Sequence, residues 1–387
     1  IEDDFNVINT VNSKYKTEKE YQDSFKDIID FSKSFSKTKK DSIDSIIFHA
    51  GNNDGISCAY IAWKYLTSVN KNKNKNKNIL FKGIQPDYTS RTEVSRHLTN
   101  INNHIKNKNI LLVDLAFNST SIEYLKKESN SLIMIDNHIQ TENNKNNTIF
   151  SSGNHCAAAS TFKFFNPKEK IPKWLQYVDN DDMKLFLPFL PNPALFTTFM
   201  NVRITKCNML TKSYAFDRMD SGAYDHMDKL LSDESIGWMI IAGSYMNEVK
   251  ENFNQILASN ARPMKFYGYN VMTLNLEFQG MSKNVARQII VNQNNYYKRK
   301  GINNKVDFAV MYSYHPQHKE YIIQLIDDHK QTRLNMREIA MKIANKSKYG
   351  KGRAGGFNHI GSFHLNDVPN FMKEAQTMTL KNTMNFS

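Results

Sequence analysis

The stretch that decides the fold is SIIFHAGNNDGISCAYIAWKYL (45–66), an apolar run followed by a glycine-containing turn and a helix-like segment. Three more apolar runs follow it, with helix-like segments between them: ILFKGI (79–84), ILLVDL (110–115) and SLIMID (131–136). The runs are almost unbroken in hydrophobicity, as expected of strands that are covered on both faces. This alternation predicts βαβα units and therefore a parallel sheet.

Polar residues end three of these four predicted strands. They are His49, Asp114 and Asp136. In open α/β sheets, ligands bind outside the carboxyl ends of the strands, where such side chains come together. An aspartate at a strand end is by itself most often a turn or a helix cap, but three polar ends on neighbouring strands favour a functional site at this edge of the sheet.

The second half of the chain has a different pattern. A long stretch with few glycines or prolines, from Asn180 to Asn260, predicts a helical connector. Strand-like and helix-like segments then alternate and end in a glycine-rich segment: YNVMTLNLE (269–277), 282–298, KVDFAVMYSYH (305–315), EYIIQLID (320–327), 335–344 and GKGRAGGFNHIGSF (350–363). This pattern predicts a smaller, mixed α/β domain.

The predicted fold class is α/β, with an N-terminal parallel-sheet domain and a smaller C-terminal mixed domain joined by a helical connector. A chain of 387 residues also exceeds what one hydrophobic core usually organises. The predicted bounds are an N-terminal extension (1–40), a first domain (41–200), a connector (201–262), a second domain (263–366) and a C-terminal tail (367–387). The amphipathic stretch YQDSFKDIIDFSKSF (21–35) is either a helix on the body or an arm that reaches a partner.

Composition narrows the classes of partner. The 51 lysines and arginines outnumber the 38 aspartates and glutamates, which gives a net charge of +13 and favours anionic partners such as RNA or a nucleotide. The longest apolar runs are far too short to cross a bilayer, so no transmembrane segment is expected. The N-terminal forty residues lack the apolar core of a signal peptide, which fits a mitochondrial protein after removal of its presequence or, alternatively, a cytoplasmic protein.

The cysteines are widely spaced and form no CxxC pair. Their positions argue against a disulfide framework and a zinc knuckle: Cys58, Cys156 and Cys207. The segment NHCAAAS (154–160) offers a cysteine beside a histidine, but sequence neighbours on a helix point in different directions. We therefore expect small residues for helix–sheet packing here, rather than a nucleophile.

Five short motifs occur in a characteristic order. His49, Asn52, Asp54 and Gly55 form the first, and VDLAF (113–117), IDNH (135–138), YVDNDDM (177–183) and AGGFNHIGSF (354–363) follow. Together they resemble the DHH/DHHA1 phosphoesterase superfamily between Ser45 and Leu365. The resemblance implies a DHH domain followed by a DHHA1-like domain, in the branch of oligoribonucleases and phosphodiesterases.

The resemblance also implies a chemistry. Members of this superfamily hydrolyse phosphoester or phosphoanhydride bonds with two manganese-like ions, which polarise a phosphoryl oxygen and lower the pKa of a bridging water. The family's six protein ligands correspond here to His49, Asn52, Asp54, Asp114, Asn137 and Asn180. Three of the six are asparagine, whose neutral oxygen cannot neutralise a dication. A shifted alignment of the fourth motif offers Asp179, Asp181 or Asp182, and gives the candidate metal set His49, Asp54, Asp114 and Asp182.

Other roles carried over from the family are catalytic or substrate-binding. The catalytic candidates are Asp54, Asp114 and His138. The candidates for substrate binding are Arg333, Gly355, Gly356 and His359. Phe357 stands where the family has the histidine of its GGGH motif.

Two main hypotheses of function follow. In the first, the protein is a degenerate phosphoesterase that needs no metal and is retained as a structural or binding subunit of a larger, possibly mitochondrial assembly of proteins. In the second, it is an active phosphodiesterase that uses Mn²⁺ or Mg²⁺ to hydrolyse short RNA or nucleotides. A third alternative is a nucleic-acid-binding protein that contacts phosphates through a glycine-rich loop and the cations Lys346, Lys348, Lys351 and Arg353.

Overall fold

A computed structural model describes most of the chain. The described residues are 13–72, 78–84, 102–115, 117, 119–137, 148–151, 153–202, 227–276, 282–315, 319–327, 334–357 and 359–378. The chain divides into two compact units, Ile1–Asn247 and Glu248–Ser387. The narrower domain bounds given above stay predictions. No helix in the described ranges combines the length and the apolarity that a membrane span requires.

A five-stranded parallel sheet forms the centre of the N-terminal unit. Its strands are β1 (Ser45–His49), β2 (Leu80–Ile84), β3 (Asn109–Val113), β4 (Ser131–Asp136) and β5 (Ile149–Ser151), in the order β2-β1-β3-β4-β5. Alternate residues of β1 face opposite sides, so Ile46 and Phe48 join one hydrophobic core and Ile47 joins another. The four predicted strands and their parallel arrangement are confirmed, and the short edge strand β5 is an addition.

Helices surround this sheet. They are α1 (Glu18–Asp23), α2 (Lys26–Lys33), α3 (Lys37–Asp41), α4 (Asn53–Asn72), α5 (Asn102–Ile105), α6 (Ser119–Glu128), α7 (Ala157–Phe165), α8 (Lys173–Met183) and α9 (Pro193–Met200). The small residues Ala157, Ala158 and Ala159 begin α7 and are buried, which lets this helix pack closely against α4. NHCAAAS was expected to pack a helix on the sheet; the helix does contact β3 and β4, but its main partner is α4.

The N-terminal segment packs on the body of this unit. Thr17 and Glu20 form a capping box at the start of α1. Tyr21, Phe25 and Ile28 then enter the main core with exposed fractions of 0 to 2%. Of the two alternatives for residues 21–35, the structure has the helices on the body.

The C-terminal unit is built on a six-stranded mixed sheet. The long helix α10 (Ile236–Ser259) starts in the first unit and ends in this one. The strands are β6 (Arg262–Phe266), β7 (Tyr269–Asn275), β8 (Phe308–His315), β9 (Glu320–Ile326), β10 (Gly350–Phe357) and β11 (Ile360–Leu365), and the helices are α11 (Ser282–Arg299), α12 (Met336–Lys346) and α13 (Val368–Thr377). Their order in the sheet is β10-β11-β9-β8-β7-β6, and only the pair β7–β8 is parallel.

The predicted fold class, a parallel-sheet domain followed by a smaller mixed α/β domain, is confirmed. One local expectation is corrected, because the glycine-rich segment 350–363 forms the antiparallel hairpin of β10 and β11 instead of a loop. Gly361 allows close approach to other backbone, since a Cβ there would lie 2.0 Å from the Met336 oxygen.

Candidate functional site

The carboxyl ends of the central strands bring the polar motifs of the N-terminal unit together. The strand order reverses between β1 and β3, and a crevice at such a switch point is where open α/β sheets bind ligands. His49 ends β1, Asp114 directly follows β3, and Asp136 ends β4. All three side chains are buried. The predicted clustering of polar strand ends is therefore present in the fold.

His49 and Asp114 are in direct contact across this switch point. The Nδ1 atom of His49 lies 3.2 Å from Asp114 Oδ2 and 3.0 Å from Asn52 Nδ2. When Nδ1 carries a proton it donates to Asp114, and when it does not it accepts from Asn52. Asp114 has a left-handed backbone, with φ of 53°, an uncommon conformation outside glycine that often marks functional positions.

Asn52 caps a helix. Its Oδ1 atom accepts the backbone N–H of Gly55 at 2.7 Å, at the start of α4. This bond fixes the orientation of the amide, so that the NH₂ group faces His49. A Cβ atom at Gly55 would lie 2.1 Å from the His49 oxygen, which explains why a glycine follows Asp54.

Asp54 binds the first N–H groups of α7. Its Oδ2 accepts from Ala157 N at 3.0 Å and its Oδ1 from Ala158 N at 2.7 Å. The first N–H groups of a helix have no partner within the helix, and the positive end of the helix dipole favours a carboxylate there. Asp54 is thus a cap for a helix that begins 103 residues further along the chain.

Burial and neighbouring negative charges act against ionisation of the Asp54 carboxyl group. Burial, then the negative charges of Asp114 and Asp182, raise the pKa of Asp54 well above its usual range, while the Ala158 N–H acts in the opposite direction. Burial and nearby carboxylates, Asp54 first, also raise the pKa of the Cys156 thiol well above its usual range. A fully buried thiol held in its protonated form is not a nucleophile, in agreement with the packing role of NHCAAAS.

The side-chain amide of Asn137 joins the third motif to the fourth by a hydrogen bond. Asn137 donates from Nδ2 to Asp182 Oδ2 at 2.9 Å and approaches Met183 Sδ at 3.2 Å. Asn180 lies in α8, and its Oδ1 accepts the N–H of Leu187 at 2.7 Å, in the turn that follows the helix. Asp182 is therefore the residue of the fourth motif that reaches Asn137, whereas Asn180 holds the backbone.

A buried network beside these residues was not recognised in the sequence. Asp179 accepts from Tyr21 at 2.7 Å and from the backbone of Cys156 at 2.7 Å, and its Oδ2 atom is 2.8 Å from His155 Nδ1. The Nε2 atom of His155 is 2.8 Å from Ser24 Oγ. The sequence signal for this network was an aspartate in the fourth motif and a histidine before α7. The signal was not sufficient, because the network also needs the N-terminal segment, which is far from both in the sequence.

This network has the residue types of a Ser–His–Asp triad, but its contacts are those of a structural anchor. The Ser24 hydroxyl donates to the backbone carbonyl oxygen of Tyr21 at 2.6 Å, and Phe25 stacks on the His155 ring with centroids 3.7 Å apart. Because the hydroxyl proton is held by a backbone carbonyl and the imidazole is covered by an aromatic ring, the arrangement anchors the N-terminal helices. It also holds the start of α7 in place through the Cys156 N–H.

A two-metal site does not fit the residues present. Divalent ions of this kind require several carboxylate or imidazole ligands with lone pairs directed at the ion. Here Asn52 and Asn180 use their carbonyl oxygens on backbone N–H groups, and Asn137 directs its NH₂ group at Asp182. In the part of the chain that the structure describes, no group of three or more His, Cys, Asp or Glu side chains is arranged to hold a metal ion.

The remaining predicted site residues lie elsewhere or outside the described residues. His138 and Arg333 fall outside them. Gly355 and Gly356 are in β10 of the C-terminal unit, where Gly356 has φ of 132°, and His359 lies in the turn before β11. Their role in substrate binding stays a prediction. Lys346 ends α12, and Lys348 lies 5.0 Å from the Tyr349 ring centroid.

Comparison with known proteins gives a distant relative and a shared fold. No family model matches the chain. The uncharacterized protein R106 of Acanthamoeba polyphaga mimivirus is 21% identical over 279 residues, which are 70% of this chain and 64% of the relative. The chain therefore spans less than two thirds of the length of this curated relative.

Several solved structures are similar. The DHH domain of a member of a family of ribosomal proteins matches at a TM-score of 0.50 and 10% identity, over 98% of this chain and 97% of that one. Exonuclease RecJ bound to manganese matches at 0.47 and 11% identity, over 90% and 93%. CDC45 from Entamoeba histolytica matches at 0.39 and 10% identity, over 93% and 98%. At such identities a likeness concerns the fold, and the first of these matches shows that the chain has the fold of a DHH-domain protein.

Proposed function

We propose that this protein is a phosphoesterase-like chain that no longer hydrolyses phosphoesters and serves as a structural or binding subunit of a larger assembly. One observation carries the proposal. Three residues at the positions of the family's metal ligands accept hydrogen bonds from backbone N–H groups. Asn52 accepts from Gly55, Asp54 from Ala157 and Ala158, and Asn180 from Leu187.

These contacts explain how such replacements are tolerated. Asparagine is a good helix cap, so its presence at position 52 costs the fold little while it removes a negative charge from the cluster. Selection for the fold alone would keep these capping contacts and would not maintain a set of metal ligands. The net charge of +13 supports an anionic partner in the assembly, such as RNA or an acidic protein surface.

The second candidate is an active metal-dependent phosphodiesterase, and one observation favours it. Asp54, Asp114 and Asp182 lie close enough together for their charges to raise the pKa of Asp54. Repulsion among neighbouring carboxylates is what a bound divalent cation would relieve.

Metal content and hydrolysis, measured together, separate the two candidates. The purified chain would be incubated with Mn²⁺, freed of unbound metal, analysed by elemental mass spectrometry and assayed on short RNA. Asp114→Ala tests the cluster, and Asp181→Ala is the matched control, because Asp181 pairs with Lys184 on the surface. We expect no stoichiometric metal, and no turnover in any of the three proteins. Bound metal with turnover that is lost in Asp114→Ala and kept in Asp181→Ala would overturn the proposal.

Membership of an assembly requires its own measurement. A tagged chain expressed at its native level would be fractionated by mass under native conditions. We expect it in a complex well above the mass of two chains, with the same distribution for Asp114→Ala. A chain found only as a monomer or dimer would contradict the proposed role as a subunit.

A further inference from the structure

The end of helix α11 carries positive charge that no acidic residue in the same stretch balances. Between Glu277 and Asp307 the sequence has six lysines and arginines and no aspartate or glutamate. Four of the six are exposed and lie in the last turn of α11 or in the turn that follows it: Lys298, Arg299, Lys300 and Lys305. Among the residues that the structure describes, no carboxylate forms an ion pair with any of these four. Their charges are therefore available to an anionic partner.

Hydrogen bonds hold the turn after α11 in a defined shape. Gly301 ends the helix with φ of 64°, and its N–H donates to the Lys298 oxygen at 3.2 Å. The chain then turns back, and the N–H of Val306 donates to Asn294 Oδ1, within α11, at 2.9 Å. Because position 306 is bound to the helix, Lys305 is kept close to the end of α11.

A fifth cation reaches the same turn from the edge of the sheet. Asn270, in β7, donates from Nδ2 to Asn304 Oδ1 at 2.7 Å, and its Oδ1 accepts from Lys265 Nζ at 2.5 Å. Lys265 is exposed and lies in β6. Asp307 is the nearest carboxylate after the turn in the sequence, and its Oδ2 accepts the N–H of Asn270 at 2.8 Å. We call the five cations the α11 basic patch: Lys265, Lys298, Arg299, Lys300 and Lys305.

An exposed aromatic ring lies beside these cations. Tyr296 is 44% exposed, and Arg299 follows it by three residues, so both side chains lie on the same side of α11. Sites for single-stranded nucleic acid combine cations that follow the phosphates with aromatic rings on which bases stack. Lysine, by contrast, is depleted in protein–protein interfaces, and four of the five cations are lysines. The composition of the patch therefore favours a nucleic acid over an acidic protein surface.

Cations in the last turn of a helix also have a simpler role, because the helix dipole favours them there. Helix α6 shows that case, with the exposed Lys126 and Lys127 in its last turn. The same helix carries Glu123 and Glu128, which balance the two positive charges. The α11 basic patch differs because no acidic residue interrupts it and because three of its cations lie outside the helix.

We propose that the α11 basic patch and Tyr296 form a binding site for single-stranded nucleic acid. The cations contact successive phosphates, and a base stacks on the Tyr296 ring. The inference deepens the proposed function, since it names the class of the anionic partner, and it requires neither a metal ion nor hydrolysis. All six residues belong to the C-terminal unit, and none of them lies in the five sequence motifs or in the cluster around Asp54.

The test is the affinity of the full chain for a labelled single strand of oligouridylate, measured by fluorescence anisotropy at several salt concentrations. The double variant Lys298→Gln with Arg299→Gln should bind about tenfold more weakly. It should also reduce the slope of log affinity against log salt by about 1.4, because each lost phosphate contact of a single strand removes about 0.7. Tyr296→Leu should weaken binding about tenfold at an unchanged slope, and Tyr296→Phe should bind as the unchanged chain does, because stacking needs only the ring.

The double variant Lys126→Gln with Lys127→Gln is the matched control, because it removes the same charge from the last turn of α6. It should bind as the unchanged chain does, and circular dichroism should show that all variants fold. Equal losses in the two double variants would overturn the proposal, because they would reduce it to a general attraction by net charge. Absence of binding by the unchanged chain would overturn it as well.

Two further outcomes would assign the surface or the ligand differently. Binding to polyglutamate that is as tight and does not depend on Tyr296 would overturn the proposal in favour of an acidic protein partner. Binding that is lost in Asp114→Ala and kept in the Lys298, Arg299 variant would place the strand at the cluster around Asp54. Hydrolysis that is lost in Asp114→Ala, with binding still lost in the patch variants, would contradict only the proposed function.

Discussion

Asp54 holds the start of a helix that is distant in the sequence. Its two oxygens accept the N–H groups of Ala157 and Ala158, and all three residues are buried. We expect Asp54→Ala to lower the free energy of unfolding by about 2 kcal/mol, because it leaves two buried donors without an acceptor. Asp54→Asn should lose about half as much, since one amide oxygen can still accept from Ala158. Urea unfolding at neutral pH measures both.

The control for this prediction is Asp181→Ala, which removes a carboxylate from a surface ion pair and should change stability by less than about 0.5 kcal/mol. A more stable Asp54→Ala protein would contradict the capping role. It would mean that repulsion from Asp114 and Asp182 outweighs the two hydrogen bonds, as in a site kept for binding a cation.

Lys40 makes the stability of the chain depend on pH in the alkaline range. Its ammonium group donates to Ser32 Oγ and to the Phe164 oxygen, both at 2.7 Å, and burial lowers the pKa of Lys40 to about 8. Between pH 8 and the unfolded value near 10.5 the unfolded chain binds more protons than the folded chain, so this group makes stability rise with pH. Below pH 8 both states are protonated and the contribution is constant.

The measurement is urea unfolding at pH 8 and pH 10. We expect the free energy of unfolding of the unchanged chain to rise by about 1 kcal/mol relative to that of Lys40→Met over this interval. The value is set below the full effect of the pKa shift because the ammonium group is only partly shielded from water. Lys37→Met, at an exposed position of the same short helix, should follow the unchanged chain. Equal pH profiles for Lys40→Met and the unchanged chain would contradict the assigned pKa.

At the scale of elements, the turn from β1 into α4 depends on a glycine. A Cβ atom at Gly55 would lie 2.1 Å from the His49 oxygen and 2.7 Å from its Cβ, so either the strand end or the helix start must move. We expect Gly55→Ala to cost about 3 kcal/mol in urea unfolding, at the upper end of overpacking effects. The same substitution at Gly237, in the first turn of α10 with no atom within 4 Å, should stabilise by about 0.5 kcal/mol. Equal effects at the two positions would contradict this account of the turn.

The sequence predicted the central strands well, because their continuous apolar runs identify them, and predicted the strands at the edges of the sheets less well. The buried strands β1, β3 and β4 are continuous apolar runs, and their polar ends correctly marked the cluster around His49. The edge strands β5 and β6 were missed, because an edge strand is short or partly exposed and has a weaker apolar signal. The hairpin of β10 and β11 was expected as a loop, since its glycines hide the alternation of a strand.

At the scale of the whole molecule, the N-terminal helices are joined to the body by a buried phenol. Tyr21 donates to Asp179, which is 158 residues away, at 2.7 Å. Burial, then the Asp179 charge, raise the pKa of Tyr21 well above its usual range, so the phenol stays a donor. We expect Tyr21→Phe to destabilise the chain by about 2 kcal/mol in urea unfolding, because a hydrogen bond to a charged acceptor is lost.

Tyr124→Phe is the matched control, since its hydroxyl bonds Asn102 in an exposed position at 3.1 Å. It should change stability by less than about 0.5 kcal/mol. If Tyr21→Phe were as mild as this control, the network of Tyr21, Asp179 and His155 would not anchor the N-terminal segment.

The sequence by itself determined the class of fold and predicted that polar groups meet at the carboxyl ends of the strands, because strand periodicity and strand-end polarity are local properties of the chain. Only the tertiary structure decided what the polar groups do. Asn52 caps α4, Asp54 binds the start of a helix 103 residues away, and Asp182 rather than Asn180 reaches Asn137. The physical reason is that buried polar groups must find partners, and the N–H groups that satisfy these carboxylates and amides are brought to them only when the chain has folded.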